Sequence, residues 1–197
     1  MSSIRVAAGV NGREPFPIRA HPLVFGVVVF LASELMFFAA LFASYYELRS
    51  QGTSWPPPGV HLDLLQSSIG TFLLFTSSVV MFLMTRAMDH RRIKAAYGWL
   101  AAAILCGIAF VAIGLDGYAK NTFTMASNAY GSLFYTMTGF HLLHVGVGVL
   151  LLIALFFGLR SPALRANHRA GAEAIMYYWH FVFVVWLGIW GSIYFLR

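Results

Sequence analysis

The chain has 197 residues, of which 59% are hydrophobic and 10% charged, with a net charge of +6. A soluble domain carries charge at about a quarter of its positions, so the solvent for most of this chain is lipid and a water-soluble enzyme is excluded. The basic residues sit in short segments between apolar runs; this distribution excludes nucleic-acid binding and assigns them to membrane topology and anionic headgroups.

Residues 1–21 carry Arg5, Arg13 and Arg19 but no apolar core followed by a cleavage site, so this segment is expected to be a cytoplasmic arm rather than a cleaved signal. A bilayer core of about 30 Å requires roughly 20 apolar residues in a helix. Five stretches satisfy this, at about 22–46, 67–88, 95–116, 130–157 and 174–196. None alternates with period two, and helices satisfy their own backbone hydrogen bonds in lipid. The expected fold is all-α, a polytopic bundle of five transmembrane helices occupying residues 22–197 as one domain. Trp55-Pro56-Pro57-Pro58-Gly59 separates the first two spans, Asp89 to Lys94 forms a tight charged turn, Asn121 to Asn128 is polar, and Ser161-Pro162 follows the fourth span.

Charge orients the bundle. Arg5, Arg13, Arg19, Arg86, Arg91, Arg92, Lys94, Arg160, Arg165 and Arg169 fall on one side, and Arg49, Lys120 and Arg197 on the other, ten against three. By the positive-inside bias the N-terminus faces the cytoplasm and the C-terminus the opposite side.

Glu34 lies about a dozen residues into the first span, among Leu31, Phe37, Phe38 and Leu41, which places it near the bilayer midplane. Ionisable groups there cost roughly 2.5–3.5 kcal/mol on insertion scales, so the carboxyl is expected to be protonated or to share a hydrogen bond. His141 and His144 stand three residues apart on one face of the fourth span, and His180 lies on the fifth. These three histidines are the candidate partners of Glu34, with His141 or His144 preferred. Their spacing does not favour haem or metal ligation, because two histidines at i, i+3 cannot flank one haem. Gly139, Gly146 and Gly148 read as points of close helix approach. Trp55, Tyr45, Tyr46, Tyr177, Tyr178 and Trp179 read as interfacial aromatics, and Cys106 as a buried, inert thiol. Asp116 and Glu173 fall near span ends. No nucleophile–base arrangement, phosphate loop or dinucleotide fingerprint is present, so no catalytic residue and no metal ligand is assigned.

Five segments in order resemble the cytochrome c oxidase subunit III family. They are Ser33-Glu34-Leu35-Met36-Phe37-Phe38; Trp55-Pro56-Pro57; Tyr130-Gly131-Ser132; Thr138-Gly139-Phe140-His141-Leu142-Leu143-His144-Val145; and Tyr178-Trp179-His180-Phe181-Val182 with Val185-Trp186. Asn167-His168, Gly171 and Glu173-Ala174 fit the segment before the last helix. The resemblance runs from about residue 22 to the C-terminus. It implies a non-catalytic subunit of a proton-pumping haem–copper terminal oxidase in a bacterial plasma membrane, without a redox cofactor of its own. Haem and copper reside in subunits I and II, its partners; it packs against subunit I, binds phospholipid, supports proton uptake and resistance to turnover inactivation, and can enter a respiratory supercomplex. Glu34 matches the family's carbodiimide-reactive carboxylate.

The family's fuller form has seven helices, of which this chain matches the last five, as bacterial versions do. Phe183 stands where the family usually has aspartate, and Leu142-Leu143 replaces Gly-Leu between the histidines. The electron donor stays open between cytochrome c and a quinol, with the Trp-Pro-Pro loop leaning toward cytochrome c. Readings from other classes are a small b-type cytochrome pairing His180 with His141 or His144, and a proton or ion transporter with Glu34 as carrier.

Overall fold

The computed structural model describes residues 22–52, 54–60, 62–160 and 168–195. The N-terminal arm, with Arg5, Arg13 and Arg19, lies outside the described residues, as do Arg165, Asn167 and Arg197 and the side chain of Arg169. Among the described residues five long helices follow one another: α1 (Pro22–Gln51), α2 (Leu64–Asp89), α3 (Ile93–Lys120), α4 (Ala129–Gly158) and α5 (His168–Trp190). The last continues as a π-helical turn, Gly191–Phe195. All five contain segments long and apolar enough to cross a membrane.

The helices extend beyond the apolar runs because polar residues finish their ends. Asp63 caps α2, its carboxylate accepting from the Gln66 N–H at 3.0 Å. Asn128 caps α4 in the same way through the Gly131 N–H at 2.7 Å. The last turn of α3 is held by an i, i+4 ion pair between Lys120 and Asp116. Between α2 and α3 the chain reverses in three residues. Arg92 N–H donates to the Ala87 carbonyl (2.8 Å) and Arg91 N–H to that of Met88 (3.0 Å), a Schellman closure with Arg91 in the left-handed region at φ 56°.

Contacts define a closed ring of four helices, α2–α3–α4–α5, with α1 packed outside it on α4 and α5. At the centre of the ring stands Trp179, fully buried. Its Nε1–H donates to Ser77 Oγ (3.0 Å), whose O–H donates to the Ala103 carbonyl (3.1 Å), joining α5, α2 and α3. Gly148 of α4 lets the indole in: a Cβ there would lie 2.6 Å from Trp179 Cζ3. Gly146 and Gly139, expected to act likewise, do not; a Cβ at Gly146 meets nothing within 4 Å, and one at Gly139 meets Tyr118 Oη only at 3.9 Å. The interfacial reading is corrected for Trp179 and Tyr178, which are buried inside the bundle, while Tyr45 is buried at the bundle's end beside Trp55. Tyr46 and Tyr177 are exposed. Cys106 is half-buried rather than buried.

Candidate functional site

The geometry of α1 explains why a carboxyl is held at mid-helix. Its buried residues, Val24, Phe38 and Tyr45, fall at multiples of seven. With half-buried Val27, Leu31, Glu34, Leu41 and Leu48 they complete an alternating three- and four-residue stripe. This is the seam of a helix packing like a coiled coil, with Phe42 beside it packed against Gly188 of α5. Glu34 occupies one seam position, where every other member of the stripe is aliphatic or aromatic.

Its partner is His144. Nε2 lies 3.0 Å from Glu34 Oε2, and Nδ1 lies 2.7 Å from the Phe140 carbonyl oxygen. A carbonyl only accepts, so Nδ1 carries a proton. One further proton is then shared across the Nε2–Oε2 bond, on the carboxyl as a neutral acid or on the ring as an imidazolium. Phe37 packs edge-on against Phe140 (5.0 Å) and Phe38 against the His144 ring (5.4 Å). Tyr178 Oη–H donates to the His144 carbonyl at 2.9 Å, tying the turn to α5. The pair is not sealed: the side chains keep 21% (Glu34) and 12% (His144) of their exposure, so it opens onto the outer face of the bundle.

The other histidines are elsewhere. His180 Nδ1 bonds the Met176 carbonyl of its own helix at 2.8 Å. His141 points inward, stacked on Trp186 (5.0 Å, 25°) with Phe110 edge-on at 5.8 Å, and neither ring nitrogen has a hydrogen-bond partner among the described residues. Three residues on a helix separate side chains by about 60°, enough to send His144 to the α1 seam and His141 to the ring interior. Among the described residues, no three His, Cys, Asp or Glu side chains come together.

The remaining motif residues organise the bundle's ends and core. Trp55 fits edge-on between Tyr45 (5.4 Å) and Tyr130 (5.1 Å), anchoring the Pro56-Pro57 loop to α1 and α4. Gly131 leaves room for the preceding loop, since a Cβ would fall 2.4 Å from the Thr124 carbonyl oxygen. Trp186 Nε1–H donates to Thr71 Oγ1 at 2.9 Å. Glu173 accepts from Tyr177 Oη at 3.4 Å. Phe183 meets Phe75 at 5.8 Å, an apolar α5–α2 contact at the position of the family's aspartate. Sequence reasoning missed the anchoring of the bundle's end by Ser192, whose carbonyl accepts from Tyr45 Oη (3.1 Å) and whose hydroxyl bonds Tyr46 Oη (2.8 Å).

Comparison with known proteins reaches nearly the whole chain. Residues 3–197 match the family model for cytochrome c oxidase subunit III. The probable cytochrome c oxidase subunit 3 of Mycobacterium tuberculosis is 36% identical over 183 residues, covering 91% of this chain and 90% of its own. The cytochrome c oxidase subunit 3 of Corynebacterium diphtheriae is 34% identical over 185 residues, with the same shares. That of Thermostichus vulcanus is 33% identical over 179 residues, 89% of each chain.

Proposed function

The chain belongs to the cytochrome c oxidase subunit III family, and from that premise we propose how it serves its oxidase. It is a multi-pass membrane subunit of a haem–copper oxidase, with cytochrome c as the donor; a quinol oxidase is not favoured, the named relatives being cytochrome c oxidases. In our reading residues 22–197 form the membrane domain of a bacterial plasma-membrane complex, and residues 1–21 a cytoplasmic arm. Haem and copper belong to subunits I and II, and this chain contributes no redox centre. Its outward apolar faces pack against subunit I and phospholipid, and the assembled oxidase can join a respiratory supercomplex.

The observation that carries the mechanism is the one-proton bond between Glu34 and His144. In an apolar seam the neutral arrangement, with the carboxyl O–H donating to Nε2, separates no charge and avoids the cost of a bare carboxylate. The pair thereby stores a proton at mid-membrane in a position open to a neighbouring subunit, and steadies α1 against α4. Both ring nitrogens of His144 are engaged, which argues against a b-type cytochrome that uses His144 as a ligand. The transporter reading requires a carrier acting without partners, whereas Glu34 sits in a bond that fixes helix register.

Glu34→Gln in the purified oxidase tests the proposal. The expected result is an unchanged haem and copper content and initial rate of O2 reduction, with earlier loss of activity during sustained turnover. Loss kinetics identical to wild type, with the subunit still bound, would overturn it.

A further inference from the structure

A cavity of about 320 Å³ lies inside the ring, away from the Glu34 seam, bounded by α2, α3, α4 and α5. Its walls are largely aromatic and aliphatic, yet two polar side chains facing it are left without partners. Both nitrogens of His141, which is 1% exposed, and the hydroxyl of Ser67, 8% exposed, make no hydrogen bond among the described residues. Each would cost several kcal/mol in a dry, apolar interior. A neutral imidazole offers one donor and one acceptor, and a serine hydroxyl both, a set that suits water and that an acyl chain does not answer.

The cavity is not closed off from polar groups. Outward from His141, Thr138 Oγ accepts from Tyr118 Oη at 2.7 Å, leaving the phenol oxygen able to accept a further bond. Beyond it, the Gln66 amide donates to the Ile113 carbonyl (3.0 Å) and the Asp116 carboxylate (2.9 Å), keeping its own oxygen free to accept. Asp63 and Lys120 stand at the same end of the cavity's lining. A water occupies about 30 Å³ of liquid and needs two to four polar partners; this volume has room for about ten. We infer that the cavity is a water-binding site, a hydrated recess entering the bundle between the Asp63 end of α2 and the Lys120 end of α3 and ending on His141.

Two measurements on the intact oxidase test it. A density map of the wild-type complex that resolves waters should place at least one within hydrogen-bond distance of a His141 nitrogen. Acyl density in the cavity, or a His141 ring turned to bond a protein group, would overturn the inference. In the second, Ser67→Cys is expected to react with a small cationic methanethiosulfonate at least about tenfold faster than Cys106, because thiolate formation needs a hydrated surrounding. Reaction with a lipophilic maleimide alone, or with neither reagent, would equally overturn it.

Discussion

His144 Nε2 and Glu34 Oε2, 3.0 Å apart, join α4 to α1 at a seam position otherwise given to aliphatic and aromatic side chains. Removing one partner leaves the other's polar atom half-buried without a bond, at a cost of about 1–3 kcal/mol. Replacing both by apolar side chains removes the orphan and completes the seam. Glu34→Ala and His144→Ala should therefore each lower the temperature at which this subunit leaves the detergent-solubilised oxidase. Glu34→Leu with His144→Leu should recover most of the loss. If the recovered double variant still loses activity early in turnover, the pair's proton and not its packing sustains the enzyme.

The same bond governs reaction with carbodiimide. A protonated carboxyl gives its proton to a carbodiimide nitrogen while the carboxylate oxygen bonds the central carbon. With a proton shared in the pair and 21% of the Glu34 side chain exposed, a lipophilic carbodiimide should modify Glu34 in the wild-type oxidase. Peptide mass spectrometry should place the adduct there and find none in Glu34→Gln. Glu47, exposed near the end of the same helix and accepting from the Gln51 amide, lies away from the lipid in which the reagent concentrates and should stay unmodified.

The fold was legible because lipid admits few solutions: apolar length and punctuation mark five helices, and what escaped a count of hydropathy was how far polar ends carry them, to Gln51, Leu64, Lys120 and His168. The identity of the Glu34 partner was half legible. Spacing set His141 and His144 on adjoining strips of α4, but which strip meets α1 depends on how α4 is rotated in the ring, a tertiary outcome. Trp179 was misread for a related reason. An aromatic run of Tyr177-Tyr178-Trp179 has the composition of an interfacial belt, and only the glycine facing it, Gly148 on another helix, reveals that the indole goes inward.

That glycine gives a paired prediction. A Cβ at Gly148 would sit 2.6 Å from Trp179 Cζ3 and 2.7 Å from Cε3, against a ring fixed by its bond to Ser77. Gly148→Ala should destabilise the subunit by about 1–3 kcal/mol through overpacking. Gly146→Ala, two residues away with nothing within 4 Å, gains helix propensity of about 1 kcal/mol and should be neutral or stabilising. Thermal release of the subunit from the oxidase, measured for both, separates close approach from the general cost of altering a membrane helix.

Trp55 allows packing and hydrogen bonding to be separated within one residue. Its ring lies edge-on to Tyr45 at 5.4 Å and Tyr130 at 5.1 Å, while its Nε1 is buried without a hydrogen-bond partner among the described residues. Phenylalanine keeps much of the aromatic contact and removes the unanswered N–H, so Trp55→Phe should cost less than about 1 kcal/mol. Trp55→Ala removes both ring contacts, each worth about 0.5–1.5 kcal/mol beyond area burial, and unfastens the loop from α1 and α4. Hydrogen exchange across residues 54–60 in the intact oxidase should rise in the alanine variant and change little in the phenylalanine one. A large rise in both would mean that the indole nitrogen is bonded by a neighbouring subunit, and that the loop is held from outside this chain rather than by Tyr45 and Tyr130.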